Sequence, residues 1–321
     1  MLKKTLAAVA LAAAQVRAAD PAVNVYFGQL GGDRLATYCD KPGFEYITLS
    51  FVITSPENDP SGLNYAGTNF GAHCAGGYYT NPTTGVSSKL LKNCDLIAAD
   101  IPVCQAKGKK VLLSIGGDMS IAGVDYTVTG VQKGREFADF MWGAFGPYKS
   151  SWTGPRPFDS KVASAPKVSV DGFDLDIEHK FNDEGQAGYV AFVERMRQRY
   201  QTVPSRDFLI TAAPECPLDN TYFKMKTIIK DAKFDALFIQ FYNNYCKASD
   251  PVNFNYDAWV RHIQGTASKD AKLYIGLPGS PSGGDGYLEP AAAAALLKKY
   301  KGTPSFGGAM FWDAQLASNK T

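Results

Sequence analysis

Asp174, Asp176 and Glu178 alternate with Phe173, Leu175 and Ile177 in the run Asp171-Gly172-Phe173-Asp174-Leu175-Asp176-Ile177-Glu178. A period of two places the three carboxylates on one face of a β-strand, about 6–7 Å apart, and turns the three hydrocarbons towards a helix layer. Like charges that close do not all ionise freely, so the proton affinity of one member rises. A carboxylic acid that keeps its proton near neutral pH can act as a general acid. A solvated edge strand is a poor account of the pattern, because aspartate is depleted in strands and three in alternation work against strand propensity. A calcium loop fails on spacing, since His179 stands where that loop needs its turn glycine.

The acidic run sits fourth among eight short apolar segments that read as strands: 23–28, 46–52, 110–115, 172–177, 209–212, 236–240, 273–276 and 307–311. Helical periodicity is expected between them, at 90–107, 134–142, 186–200, 221–230, 257–263 and 288–300. Strands alternating with helices imply parallel crossovers, and eight of them imply a closed (β/α)8 TIM barrel of the α/β class. Catalytic groups of such a barrel lie at the C-terminal ends of its strands, where Glu178 falls. Residues 55–85, rich in Asn, Gly, Pro and Tyr, read as a long loop on the same rim, and 276–286 as a second one. Nine residues, Asp313 to Thr321, remain beyond Trp312 at the end of the eighth strand, so the eighth helix is expected to be rudimentary or cut short.

With 321 residues, 45% of them hydrophobic, the chain has material for one large core. Lys3 and Lys4, an apolar run from Leu6 to Ala14, and Val16-Arg17-Ala18 before Ala19 read as a secretory signal over residues 1–18, leaving 19–321 as a single catalytic domain. The apolar run is too short to span a bilayer. Cleavage removes three of 33 basic side chains against 31 acidic ones, so no basic pull towards nucleic acid remains. Cys39, Cys74, Cys94, Cys104, Cys216 and Cys246 form an even set in an exported chain, which points to disulfides, with fifteen pairings open. Only Cys74 has a histidine beside it, His73, so no metal site is expected. Asn319-Lys320-Thr321 matches a glycan acceptor.

Asp171-x-x-Asp174-x-Asp176-x-Glu178 resembles the D-x-x-D-x-D-x-E signature of family 18 glycoside hydrolases. Ser114-Ile115-Gly116-Gly117 resembles the family's S-x-G-G motif, and Gln240-Phe241-Tyr242-Asn243-Asn244 follows the sixth strand. Further likenesses run from Val25-Tyr26-Phe27-Gly28-Gln29 to Gly307-Gly308-Ala309-Met310-Phe311-Trp312, and together they resemble plant-type, class III endochitinases and their secreted fungal relatives. The resemblance implies cleavage of β-1,4 bonds between N-acetylglucosamine units by a retaining route in which the substrate's own acetamido oxygen is the nucleophile. Glu178 would be the acid and base, Asp176 would orient the acetamido N–H, Asp174 would tune Asp176, and Tyr242 would donate to the acetamido oxygen.

The same resemblance puts Tyr26, Phe51, Asn69, Gly117, Gln240 and Trp312 against sugar, with Trp312 as an aromatic floor. It pairs Cys39 with Cys104, Cys74 with Cys94 and Cys216 with Cys246, which would pin the rim loops. No metal or organic cofactor is implied; the partners would be chitin or its oligomers, and the protein a secreted, extracellular monomer with no nucleic-acid or membrane partner. Ser114, Gly116 and Gly117 read as architectural, because small residues let strand ends approach closely. Two residues depart from the family: Phe27 stands where many relatives have Trp, and Glu215 replaces the usual Gln. A carboxylate near the cleft would favour the protonated state of its neighbours. The rival readings are an endo-β-N-acetylglucosaminidase acting on N-glycans and a non-catalytic relative that binds chitin or inhibits another protein.

Overall fold

A computed structural model describes residues 22–160, 162 and 164–318. The expected leader cleavage at Ala18 and the Asn319 acceptor lie outside them. In chain order the strands are β1 (Ala22–Phe27), β2 (Phe44–Thr54), β3 (Gly67–Thr68), β4 (Tyr78–Thr80), β5 (Ser87–Leu91), β6 (Lys110–Gly117), β7 (Gly172–Ile177), β8 (Leu209–Ala212), β9 (Ala236–Gln240), β10 (Lys272–Pro278) and β11 (Phe306–Trp312). Eight of them, β1, β2 and β6 to β11, pair in parallel, and β1 closes the ring by pairing with both β2 and β11. The helices are α1 (Leu35–Cys39), α2 (Asp95–Ala106), α3 (Gly130–Phe145), α4 (Asp183–Tyr200), α5 (Lys226–Asp231), α6 (Tyr256–Ile263), α7 (Pro290–Tyr300) and α8 (Ala314–Ser318). The molecule is the (β/α)8 barrel that the alternation of segments implies, and among the described residues its eighth helix covers Ala314–Ser318.

Two hydrophobic layers follow from strand parity. Val25, Ile47, Leu113, Phe173, Leu175 and Ile177 point outward into the main core beneath the helices, where each is at most 1% exposed. Leu112, Phe238, Tyr274 and Met310 point inward and fill the barrel together with Tyr26 and Phe51. The longest helices, α3 and α4, lie close because Gly134 and Gly188 face each other: a Cβ on Gly134 would come 1.8 Å from the Gly188 carbonyl oxygen. α4 begins at an Asn182 cap whose Oδ1 accepts the Gly185 N–H at 2.9 Å, followed by Asp183 and Glu184 in the first turn.

Several boundaries differ from the sequence expectation. Leu90 and Leu91, assigned to a helix starting at 90, belong to β5, and α2 begins at Asp95. The helix expected from 221 starts at Lys226, because Asp219 Oδ1 accepts the N–H groups of Thr221 and Tyr222 and holds them in a turn. The 55–85 loop contains β3, antiparallel to β2, and β4, which pairs with β5. Disulfides join Cys39 to Cys104, Cys74 to Cys94 and Cys216 to Cys246. The last two hold rim loops; the first ties α1 to α2 in the helix layer, so it does not pin the rim.

Candidate active site

Asp174 lies inside the barrel with no exposed surface, and strand register supplies its partners. Ser114 on β6 and Thr211 on β8 stand level with it. Ser114 Oγ donates to Asp174 Oδ2 at 2.7 Å and Thr211 Oγ1 to Oδ1 at 2.5 Å. Tyr26 donates its hydroxyl from β1 to Oδ2 at 2.8 Å. Burial pushes the Asp174 carboxyl up, while these three hydrogen bonds pull the other way.

One pleat further along, Asp176 is 4% exposed, and Glu178 follows at the strand's end, partly open to the cleft. Gln240, the last residue of β9, reaches both. Its Nε2 donates to Asp176 Oδ1 at 2.7 Å and to Glu178 Oε1 at 3.2 Å, and also meets the Ala213 carbonyl at 3.0 Å. A single amide therefore spans the two carboxylates. Asp176 is held well above the usual carboxylate range, first by burial, then by the charges of Glu178 and Asp174. Burial pushes the Glu178 carboxyl up to about 7; the Gln240 hydrogen bond opposes the shift and the charge of Glu215 adds to it. Glu178 can thus carry a proton at neutral pH, and Asp176 stays hydrogen-bonded beside it.

The Tyr242 hydroxyl, two residues beyond Gln240, is pushed well above 10 by burial and then by Asp176, Glu178 and Glu215, so it remains a donor. Phe51 and Trp312 stack with centroids 5.8 Å apart and planes 16° apart, and Tyr26 approaches Trp312 at 5.9 Å. These three rings line the same cleft as Asp176 and Glu178. The peptide bonds Ser50–Phe51 and Trp312–Asp313 are both cis. Gly116, at φ +139°, has no room for a side chain: its Cβ would sit 1.7 Å from the Asp176 carbonyl oxygen. Gly117, at φ +88°, backs onto the Phe51 ring.

The resulting cleft encloses about 330 Å³ and brings together Tyr26, Phe51, Asn69, Gly117, Asp176, Glu178, Gln240, Tyr242 and Trp312. Of the site residues expected from sequence, Asp174 alone is not on its wall; it lies beneath, in the barrel interior. Asp171, of opposite parity, accepts from Gln105 Nε2 at 2.8 Å, the Val111 N–H at 2.9 Å and Arg206 at 2.8 Å, and anchors the base of β7. His179 packs its ring 5.0 Å from Phe181.

Sequence reasoning missed four contributors. Tyr126 donates to the Gly117 carbonyl at 2.7 Å and accepts the Glu178 N–H at 3.2 Å, fixing the strand end from a segment without any motif. Gln29 Nε2 ties the carbonyls of Ser50 and Asn69, at 2.8 and 2.9 Å. Thr211 and Asp118 were not singled out; strand register beside Asp174 could have found the former. Phe27, the first departure, packs its ring 4.5 Å from His73 and 5.5 Å from Tyr38, outside the barrel. Glu215, the second, lines the cleft and pairs with Lys224 at 2.8 Å.

The family profile described as "Glycosyl hydrolases family 18" matches residues 22–284. Endochitinase A of Aspergillus niger is 41% identical over 313 residues, 93% of this chain and 23% of that protein. Endochitinase A1 of Aspergillus fumigatus is 40% identical over 310 residues, 92% of this chain and 35% of that protein. The chain thus spans about a quarter to a third of the length of these relatives. Among solved structures, a chitinase from Ipomoea carnea superposes with a TM-score of 0.67 at 23% identity, covering 93% of this chain and 97% of that one. A xylanase and α-amylase inhibitor from Scadoxus multiflorus does so with 0.66 at 22% identity, covering 94% and 95%. The fold is common to proteins with different described functions, and activity has to be argued from the site.

Proposed function

This chain belongs to family 18 of the glycosyl hydrolases, and on that footing we propose that it is a secreted endochitinase that cuts β-1,4 bonds between N-acetylglucosamine units with retention of configuration. The observation that carries this reading is the Gln240 amide spanning Asp176 and Glu178, with Glu178 pushed up to about 7 in a cleft lined by aromatic rings.

In the first step Glu178 gives its proton to the glycosidic oxygen. The C–O bond to the leaving sugar breaks as the acetamido oxygen of the retained sugar bonds to its anomeric carbon. Asp176 accepts the acetamido N–H and balances the positive charge of the oxazolinium ion, while the Tyr242 hydroxyl donates to the acetamido oxygen and keeps it in line. Glu178, now ionised, takes a proton from water, whose oxygen adds to the anomeric carbon and reopens the ring. An intramolecular nucleophile avoids much of the entropy cost of a second reactant, and a positioned acid contributes roughly 10²–10⁴ in rate. Phe51 and Trp312 supply an apolar face for the C–H side of a pyranose. The apolar leader and the three disulfides support export to an oxidising compartment.

A defined hexamer of N-acetylglucosamine and an N-glycosylated protein, offered separately, test the reading. The expected result is soluble short oligomers from the hexamer, with fresh reducing ends in the β configuration, and an untouched glycoprotein. Glycan release without hexamer cleavage would overturn it in favour of an endo-β-N-acetylglucosaminidase.

A further inference from the structure

The register of β6, β7 and β8 stacks inward-facing residues in layers. Ser114, Asp174 and Thr211 share the first, and Gly116, Asp176 and Ala213 the second. One pleat further the same register sets Asp118, Glu178 and Glu215 level on three neighbouring strand ends, about 4.8 Å from one strand to the next, and all three line the cleft. A parallel bridge to Gln240 fixes the Glu215 backbone from its other side.

The two inner layers hold one acid each, whereas the outer row is acidic throughout. Among the described residues the cleft wall carries four carboxylates, Asp118, Asp176, Glu178 and Glu215, and no lysine, arginine or histidine. Hydrogen bonds from Ser120 hold the Asp118 carboxyl below its ordinary range, so it is ionised at neutral pH. Lys224 meets Glu215 Oε2 at 2.8 Å but is not part of the wall. Its single charge does not balance Asp118, Glu215 and the charge left on the Asp176 and Glu178 pair. A carboxylate accepts at about four lone-pair sites, so Glu215 can take a second cation beside Lys224. A cleft walled by one sign of charge draws in ligands of the other.

On the hydrolase reading above, two sugars meet at the oxygen that Glu178 protonates. The retained sugar must keep its acetamido group, because that group is the nucleophile. The leaving sugar is free of that demand and, bonded to the same oxygen, comes up against the neighbours of Glu178 in the row. Resting on that reading, we propose that Glu215, helped by Asp118, recognises a free amine on the leaving sugar, so that the enzyme prefers to cut partly deacetylated chitin between an N-acetylglucosamine unit and a glucosamine unit. The ammonium donates to the Glu215 carboxylate, and Lys224 competes for the same group. A glutamine at this position would offer one neutral carbonyl oxygen, so the departure at 215 is what supplies the charge.

The test digests soluble, half-deacetylated chitin at pH 5.5 and sequences the product oligomers from both ends by mass spectrometry. The readout is the ratio of glucosamine to N-acetylglucosamine at the new non-reducing ends, divided by the same ratio in the polymer. Both sugars compete within one digest, so a change in overall rate or pH profile cancels. Wild type is expected to give about three, Glu215→Gln about one, and Lys224→Met, which removes the competing cation, a value above wild type. A wild-type value of one, or a value that neither substitution moves, would overturn the proposal, while cleavage of the fully acetylated hexamer would leave the hydrolase reading intact. Glucosamine at the new reducing ends, or no cleavage of either substrate, would overturn the hydrolase reading and the proposal with it.

Discussion

Lys224 Nζ lies 2.8 Å from Glu215 Oε2, so the acid that departs from the family pattern is paired with a cation at the edge of the cleft. Around Glu178 stand Asp176 on its own strand, Asp118 beyond β6, Tyr126 from the segment that follows, Glu215 and Lys224 beyond β8, and Tyr242 beyond β9. Glu215 and Asp118 favour the protonated acid, whereas Lys224 and the Gln240 hydrogen bond disfavour it.

Removing the Glu215 charge should therefore weaken the hold of Glu178 on its proton, and the unpaired Lys224 acts in the same direction. Since the first step needs protonated Glu178, Glu215→Gln is expected to move the alkaline limb of kcat/KM to lower pH, with the plateau kcat within about threefold of wild type. Lys224→Met should move the limb the opposite way. The check is a pH–rate series on a soluble oligomer, and an unshifted limb in both variants would remove the pair from the account.

Tyr26→Phe takes away one of three hydroxyl donors to the buried Asp174 carboxylate. Leaving such a group short of a partner costs about 1–3 kcal/mol, so the urea midpoint should fall with an unchanged slope. Activity should drop far less than on loss of Glu178, because Tyr26 acts through Asp174. A midpoint equal to that of wild type would contradict the network as described.

Stability should also respond to pH at the acid itself. Glu178 sits above its ordinary 4.5, at about 7, so the folded state binds this proton more tightly than the unfolded chain does. Stability contributed by the protonated form is present below about 4.5 and lost as pH rises through about 7. Glu178→Gln removes that loss, and its melting temperature should exceed that of wild type by a few degrees at pH 8, a gain on the order of 1–3 kcal/mol, and by much less at pH 4. Equal differences at the two pH values would show that Glu178 is not held away from its ordinary value.

Much of this was legible in the chain because it rests on period and parity. Asp174, Asp176 and Glu178 share a face because strands alternate, and eight apolar segments were enough to expect a barrel. The residues that resisted reading work through the third dimension. Tyr126 steadies Glu178 from a segment with no motif, and Gln29 joins two carbonyls on different loops. Helix starts at 90 and 221 went wrong where local partners override periodicity: β5 pairs with β4, and Asp219 captures two N–H groups. That Cys39 and Cys104 tie helices, away from the rim, needed the fold itself.

The central claim is that the Glu178 proton breaks the glycosidic bond. Its most direct test is the initial rate of soluble oligosaccharide release from the N-acetylglucosamine hexamer at pH 6 by wild type and by Glu178→Gln. The account predicts a loss of about 10²–10⁴ in kcat in a variant that melts no earlier than wild type. Equal rates in the two proteins would contradict it.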